Sequence, residues 1–331
     1  MSAAPLIEFR ALSVRYGGRE AVRAASFSVA RGEIAALVGA SGSGKSQTAL
    51  AALGLLPEAA RVSGEILFAG ENLVGLPRRR LDALRGKRLA VVFQEPAAAL
   101  DPFLSVGAQI CAVLRLRAGL GRAAARARAR ELLALARLPD PDAAFAAAPR
   151  QLSGGQLQRA AIAMALSCEP ELLVADEPTT ALDMGVAAQI LDLLQALRAT
   201  LGLGMIFITH DLPLAARFAD VMHVMARGAV VESGPPGALL RREGGEAARL
   251  MRAEAGPRHS EAAPRHAQAA PRHAEAAPDA PPLLEIEALR VEGVRREGFL
   301  RARPAPILRG VGLSLAPGRT LAVLGESGAG K

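Results

Sequence analysis

The segment Gly39-Ala40-Ser41-Gly42-Ser43-Gly44-Lys45-Ser46 matches the phosphate-binding pattern G-x-x-x-x-G-K-[ST] at every fixed position. A loop of this kind needs a buried strand to enter it and a helix to leave it. The apolar run Glu33-Ile34-Ala35-Ala36-Leu37-Val38 supplies the strand, and Gln47-Thr48-Ala49-Leu50-Ala51-Ala52-Leu53 the helix. Glycine lets the backbone wrap a phosphate closely, because a Cβ would obstruct the path. The loop amides and the helix N-terminus then face the anion. Lys45 would reach the β- and γ-phosphates of ATP, and the Ser46 hydroxyl would ligate Mg²⁺. Gly39 through Gln47 is the candidate cofactor-binding segment.

The motif nearly recurs at Gly325-Glu326-Ser327-Gly328-Ala329-Gly330-Lys331. Pro5-Leu6-Ile7-Glu8-Phe9-Arg10-Ala11-Leu12 also returns, as Pro282-Leu283-Leu284-Glu285-Ile286-Glu287-Ala288-Leu289, and Arg31-Gly32 returns as Pro317-Gly318. The spacing is that of a domain, not of a solenoid repeat. Three segments are expected: a complete domain over 1–255, a linker over 256–282, and the start of a second domain over 283–331. That last segment stops inside its phosphate loop, without the metal-ligating hydroxyl or the helix. It is therefore expected neither to bind ATP nor to fold alone, and Leu321-Ala322-Val323-Leu324 reads as a buried strand left uncovered. The linker carries three copies of a seven-residue unit, beginning at Pro257, Pro264 and Pro271. Proline at that spacing prevents a continuous helix and gives a semi-extended spacer. His259, His266 and His273 lie seven apart on it, which is not a metal-site spacing.

Composition excludes several classes. Hydrophobic residues make up 51%, a figure inflated by alanine. No stretch reaches the ~18–20 continuous apolar residues of a membrane span. Met1-Ser2-Ala3-Ala4-Pro5 lacks the basic and apolar regions of a signal peptide, so a cytoplasmic protein is expected. Cys111 and Cys168 fit no metal spacing. The net charge of +8 suggests a nucleic-acid partner. Yet of 40 basic residues only Lys45, Lys87 and Lys331 are lysine, and the arginines sit at helical spacing among alanines. They read as solvated helix faces. With one tyrosine and no tryptophan there is no platform for stacking single strands. No nucleic-acid partner is expected.

Short apolar strands at Leu89–Phe93, Leu172–Ala175 and Met205–Ile208 alternate with helical stretches. This implies an α/β fold with a mostly parallel sheet covered on both faces. Residues 6–30 and Glu65–Phe68 read as further strands. Val106–Leu138 reads as helical and Ala-rich, within an insert near 97–165 that would form a separate lobe.

Five elements follow the phosphate loop in fixed order. They are Gln94 after Val91-Val92-Phe93; Leu152-Ser153-Gly154-Gly155-Gln156 before a helical run; Asp176-Glu177 ending Leu172-Leu173-Val174-Ala175; Thr180-Ala181-Leu182-Asp183; and His210 closing Ile206-Phe207-Ile208-Thr209. In this order they resemble the ATP-binding-cassette (ABC) ATPases over residues 6–235, and the resemblance begins again at 283. It implies the P-loop NTPase fold of an ABC nucleotide-binding domain, with an antiparallel β subdomain and a helical subdomain. It implies roles as well. Asp176 would hold Mg²⁺ beside Ser46, and Glu177 would polarise the attacking water. Gln94 would touch the metal or the water, and His210 would contact the γ-phosphate and help hold Glu177. Tyr16 lies where the family places an aromatic that stacks on adenine. Ser153, Gly154, Gly155 and Gln156, with Asp183, would act on ATP held by a second ATPase domain, so that binding closes the pair and hydrolysis opens it.

Phe93-Gln94-Glu95-Pro96-Ala97-Ala98-Ala99-Leu100-Asp101-Pro102 is similar to the ATPases of peptide and nickel importers, some of which fuse two ATPase domains in one chain, as in dipeptide and glutathione importers. After Gly234-Pro235 this chain has Arg242-Glu243-Gly244-Gly245-Glu246-Ala247 where that branch usually has a His-Pro-Tyr-Thr segment. The implied partners are membrane permease subunits, a second ATPase domain and, indirectly, a solute-binding protein, at the cytoplasmic face of the inner membrane. The alternative is a soluble ABC ATPase acting on ribosomes or DNA. It would show a long charged helical linker, zinc-spaced cysteines or long coiled coils, and none is present.

Overall fold

The computed structural model describes residues 4–180, 182–242, 244–254, 282–297 and 301–323. Most of the linker and the second phosphate loop, Gly325–Lys331, lie outside them. The chain divides into two units, Met1–Pro257 and Arg258–Lys331.

The first unit opens with a hairpin of β1 (Ile7–Tyr16) and β2 (Arg19–Val29). Next come β3 (Ile34–Val38), α1 (Lys45–Ala52), β4 (Ala60–Phe68) and β5 (Glu71–Asn72). The sequence continues through α2 (Arg78–Leu84), β6 (Leu89–Val92) and α3 (Pro96–Ala99). A helical stretch follows: α4 (Val106–Arg117), α5 (Arg122–Leu135), α6 (Pro141–Ala146) and α7 (Gly154–Ala165). The chain then alternates through β7 (Leu172–Asp176), α8 (Met184–Leu201), β8 (Gly204–Thr209) and α9 (Leu212–Phe218). It finishes with β9 (Val221–Ala226), β10 (Ala229–Gly234), α10 (Pro236–Arg241) and α11 (Glu246–Glu254).

Two sheets result. One is antiparallel, in the order β2-β1-β4-β5; the other runs β10-β9-β3-β8-β7-β6. In the six-stranded sheet β9, β3, β8, β7 and β6 are parallel, and β10 is antiparallel to β9. The alternation of side chains along a strand divides the interior into two cores. Ile34, Ala36 and Val38 of β3 join one with Met205, Phe207 and the buried residues of α4, α5 and α7. Ala35 and Leu37 join the other with Ile206, Ile208, the antiparallel sheet and α1. All five residues of β3 are buried, as expected of a central strand covered on both faces.

Val106–Leu138 is helical, as its sequence reads, in two helices separated by a break after α4, where Gly119 takes φ +70°. Its buried side chains belong to the same core as one face of the parallel sheet, so the helical subdomain packs onto that face.

The second unit contains β11 (Leu284–Glu297) and β12 (Arg301–Leu315), paired antiparallel. The pairing repeats the register of the first hairpin. Ile7↔Val29, Phe9↔Phe27, Leu12↔Ala25 and Val14↔Val22 correspond to Leu284↔Leu315, Ile286↔Leu313, Leu289↔Val311 and Val291↔Leu308. Even the irregularities recur: Ala11 and Ala288 take φ of 46° and 47°, and Ala24 and Gly310 also lie at positive φ. These strands thus find each other as partners. Of Leu321–Leu324, expected as a strand, Leu324 lies outside the described residues; Leu321–Val323 belong to no strand, and Leu321 and Val323 are exposed. Its counterpart β3 is held between β8 and β9, and neither strand has an equivalent among the described residues of this unit.

His223 of β9 is buried against Phe27 at 4.8 Å between ring centroids, with Nδ1 2.8 Å from Ser233 Oγ. Burial pushes its imidazole down to about 4. The neutral ring is favoured in the fold while the unfolded chain titrates near ~6.5, so the unfolded state binds more protons between those values. Stability conferred by the neutral ring is full above pH ~6.5 and is lost as pH falls toward 4. The melting temperature of the parent minus that of His223→Gln should therefore shrink over that window. Thermal melts at half-unit steps check it; a constant difference would remove His223 from the acid response.

Candidate functional site

The glycine loop is pinned between β3 and the β9–β10 hairpin. A Cβ on Gly39, at φ +151°, would stand 2.2 Å from the Met225 carbonyl oxygen; on Gly44, at φ +105°, it would stand 2.7 Å from the Ala21 carbonyl oxygen. Neither position admits a side chain. Ser43 accepts a hydrogen bond from the Gly228 amide at 3.1 Å, which ties the loop to the same hairpin. From this loop Lys45 begins α1, its Nζ donating to the Gly39 and Ala40 carbonyls at 2.8 and 3.1 Å. Burial lowers the Lys45 pKa, while Glu177 and Asp176 act to raise it.

Two strand ends bring acids to this ammonium. Asp176 closes β7, and its Oδ1 accepts from Ser46 Oγ at 3.1 Å. Burial raises the Asp176 carboxyl; the Ser46 hydrogen bond opposes this, Glu177 adds to it, and Lys45 opposes it. Glu177 follows at φ +46°, a left-handed conformation that costs a residue with a side chain ~1–2 kcal/mol. Its amide donates to the Ile208 carbonyl at 2.9 Å, which holds the turn. Three side chains converge on its carboxylate. Gln94 Nε2 donates at 3.1 Å and Thr180 Oγ1 at 2.9 Å, both to Oε2, while His210 Nδ1 lies 3.2 Å from Oε1. Backbone strain thus coincides with a carboxylate gripped from three sides.

Tyr16 ends β1, and its hydroxyl donates to Gln47 Oε1. An open cleft of about 1460 Å³ runs from Tyr16 past Ser41, Gly42, Gly44, Lys45, Ser46 and Gln47 to Gln94, Glu177 and His210. Thr180, Arg19, Arg23 and Arg227 also line it, and none of these was singled out as a site residue in the sequence. Thr180 lies three residues after Glu177, and its amide donates to the Glu177 carbonyl at 3.1 Å, a turn that brings its hydroxyl back to the carboxylate.

The signature residues are not in this cleft. Ser153 caps α7: its Oγ accepts from the Gln156 amide at 3.3 Å, and Gln156 Oε1 accepts from the Ser153 amide at 3.1 Å. Gly154 and Gly155 form the first helical turn, and a Cβ on Gly155 would meet Val186 at 2.5 Å. Asp183 caps α8 through Val186 N–H at 2.9 Å.

The donor set fits a hard cation: a hydroxyl and a carboxylate oxygen adjoin at Ser46 and Asp176, with room for phosphate oxygens beside them. Among the described residues no group of three or more His, Cys, Asp or Glu gathers to hold a metal unaided. A cation here would therefore share its ligands with a bound phosphate.

A strand, a glycine loop and a helix in this arrangement define a nucleotide-binding cassette of the P-loop class. A family model described as ABC transporter matches residues 22–180. The probable peptide ABC transporter ATP-binding protein y4tR of Sinorhizobium fredii is 44% identical over 233 residues, 69% of this chain and 70% of that protein. The peptidoglycan transport ATP-binding protein YejF of Agrobacterium fabrum is 40% identical over 338 residues, 99% of this chain; the chain spans 59% of its length. Among solved structures, an ATP-binding cassette in a dimeric post-hydrolysis state, bound to ADP and Pi, superposes with a TM-score of 0.62 at 27% identity, covering 70% of this chain and 98% of that one. The chain belongs to the ABC transporter ATP-binding proteins.

The crowding at Gly39 is testable by stability alone. Gly39→Ala should lower the melting temperature more than Gly42→Ala, whose Cβ would meet nothing within 4 Å. A clash with backbone costs about 1–3 kcal/mol, whereas Gly42→Ala carries only the strain of its positive φ. Equal melting temperatures for the two variants would show that the loop yields at Met225.

Proposed function

We propose that the first unit binds ATP with Mg²⁺ and hydrolyses it, and that this reaction energises a membrane importer of peptides or a related small solute. One observation carries the reading: the Glu177 carboxylate, held by Gln94, Thr180 and His210, stands in the same cleft as Lys45 and Ser46. Binding phosphate needs only the loop. A carboxylate oriented beside it is what activating water requires.

In this reading Tyr16 stacks on adenine and the amides of Ser41–Gly44 meet the phosphates. Lys45 exchanges its two carbonyl partners for the β- and γ-phosphate oxygens. Ser46 and Asp176 hold Mg²⁺, which when bound neutralises charge on the transferring phosphoryl group. Glu177 accepts a hydrogen bond from the attacking water and draws its proton toward Oε1 or Oε2. Gln94 and His210 fix that carboxylate and sense the γ-phosphate. Ser153–Gln156 and Asp183, outside the cleft, act on the nucleotide of a second ATPase domain. Its closure and reopening transmit the cycle to a permease.

The solute assignment is supported by the names of the relatives, which are peptide and peptidoglycan transport proteins. Among the described residues no helix is long and apolar enough to cross a membrane, so attachment to the cytoplasmic face of the inner membrane would come through the permease. A solute-binding protein takes part only indirectly. Phe103 and Leu104, 86% and 50% exposed just before α4, offer the permease an apolar contact close to Gln94 in sequence. Cysteines placed at Ala98 and Leu104 should crosslink to a permease; capture of ribosomal or DNA components alone would favour a soluble role.

Glu177→Gln should retain ATP binding and lose turnover by about 10²–10⁴-fold, since only proton transfer is removed. Lys45→Ala should abolish binding itself. Nucleotide titration and phosphate release, measured on the same preparations, separate the two. Turnover at the parent rate in Glu177→Gln would strip Glu177 of its role.

A further inference from the structure

The Tyr16 end of the cleft has a wall that the phosphate loop does not supply. It is built by β2 and the β9–β10 turn, which contribute Arg19, Arg23 and Arg227. The wall is fixed: the Arg23 amide donates to the Gly228 carbonyl at 2.7 Å, and the Gly228 amide donates to the Ser43 carbonyl at 3.1 Å. The turn therefore bridges β2 and the phosphate loop.

Its tip is an unusual place for arginine. Arg227 and Gly228 take φ of +48° and +86°, the two positive values of a tight hairpin turn. Asn and Gly suit the first of these positions, and a long side chain there is strained. The charge balance is uneven as well. Glu20, the carboxylate on this stretch of wall, is occupied by Arg15 at 2.9 Å and Arg23 at 3.5 Å. Among the described residues neither Arg19 nor Arg227 has a carboxylate within ion-pairing distance. Arg19 and Arg227 thus line one cleft, and neither is tied to a carboxylate among the described residues.

We propose that Arg19 and Arg227 capture the polyphosphate of the incoming nucleotide and set its rate of association. This rests on the reading of the cleft as an ATP site. A concave wall of one sign focuses field lines and concentrates the opposite ion, speeding association while leaving the final contacts to other groups. The pull acts over about one Debye length, ~10 Å at 0.1 M salt, and is screened as salt rises. It also scales with ligand charge, so ATP gains more than ADP, and ADP more than AMP.

Stopped-flow mixing of the 331-residue chain with a ribose-labelled fluorescent ATP analogue and Mg²⁺ tests the proposal. The Arg19→Glu/Arg227→Glu double variant should associate about ten-fold more slowly at low ionic strength. Its dependence on salt should flatten, while its dissociation rate and melting temperature stay near those of the parent. The Lys double variant should keep the parent rate and salt slope, because it keeps the charge. The Gln double variant, which avoids new repulsion, should fall between. Association of both the Glu and Gln variants at the parent rate, with the parent salt slope, would overturn the proposal. Lys45→Ala serves as the control. If it loses binding while the arginine variants behave as the parent, only this inference fails; if it binds as the parent does, the reading of the cleft fails with it.

Discussion

The Met225 carbonyl stands where a Cβ of residue 39 would be, and much of the molecule follows from that contact. The phosphate loop leaves β3 in a tight path because β9 lies directly beside that strand, pairing Val38 with Val224. Met225 is fully buried, with Sδ 3.8 Å from Thr48 Oγ1 of α1 and its methyl carbon close to Gly44. One residue thus touches the start of the loop, its last glycine and the helix that follows. A loop braced in this way keeps its amides aimed at one point whether or not an anion is there. That preorganisation is what makes backbone groups effective against phosphate charge.

The same rigidity arranges opposite charges at short range without letting them cancel. Lys45 spends its hydrogen bonds on two backbone carbonyls, not on Asp176 or Glu177. Asp176 is bound to Ser46, and Glu177 to Gln94, Thr180 and His210. The ammonium is thus left uncommitted to any carboxylate. A direct ion pair would have to be broken, with both partners partly desolvated, before phosphate or metal could enter. The strained turn at Glu177 contributes by pointing its carboxylate back toward Gln94, a residue on a different strand end.

What was legible in the sequence was whatever depends on neighbours along the chain. The strand, glycine loop and helix at 33–53, the acids ending β7 and the histidine after β8 all sit where the pattern puts them, because period and punctuation determine them. Long-range pairings were not legible. Nothing in Met225 or Arg227 marks them as walls of a site whose loop lies almost two hundred residues earlier. Ser153–Gln156 reads as a functional string, yet its geometry here is that of a helix cap, remote from its own Lys45 cleft. The break after α4 falls at Gly119-Leu120-Gly121, where two glycines outweigh the helical propensity of the alanines and arginines on either side.

The duplicated hairpin separates local encoding from tertiary packing in a single chain. β11 and β12 reproduce the register and both positive-φ irregularities of β1 and β2, although only part of the sequence is shared. Strand pairing and bulges are thus specified within the hairpin itself. Burial is not: Ile7, Leu12 and Val14 are 0% exposed, whereas Leu284, Leu289 and Val291 are 48%, 39% and 37% exposed. The register also identifies what was not copied. Tyr16 pairs with Arg19 in the first hairpin, and the matching pair in the second is Gly293 with Ala305. Neither the ring we assign to adenine nor the arginine we assign to nucleotide capture has a counterpart there. Both changes fall at the same end of the hairpin, beyond the bulges that its fold requires. The backbone scaffold and the base-end chemistry are therefore separable, and a strand pair can be duplicated faithfully while that end of its site is not.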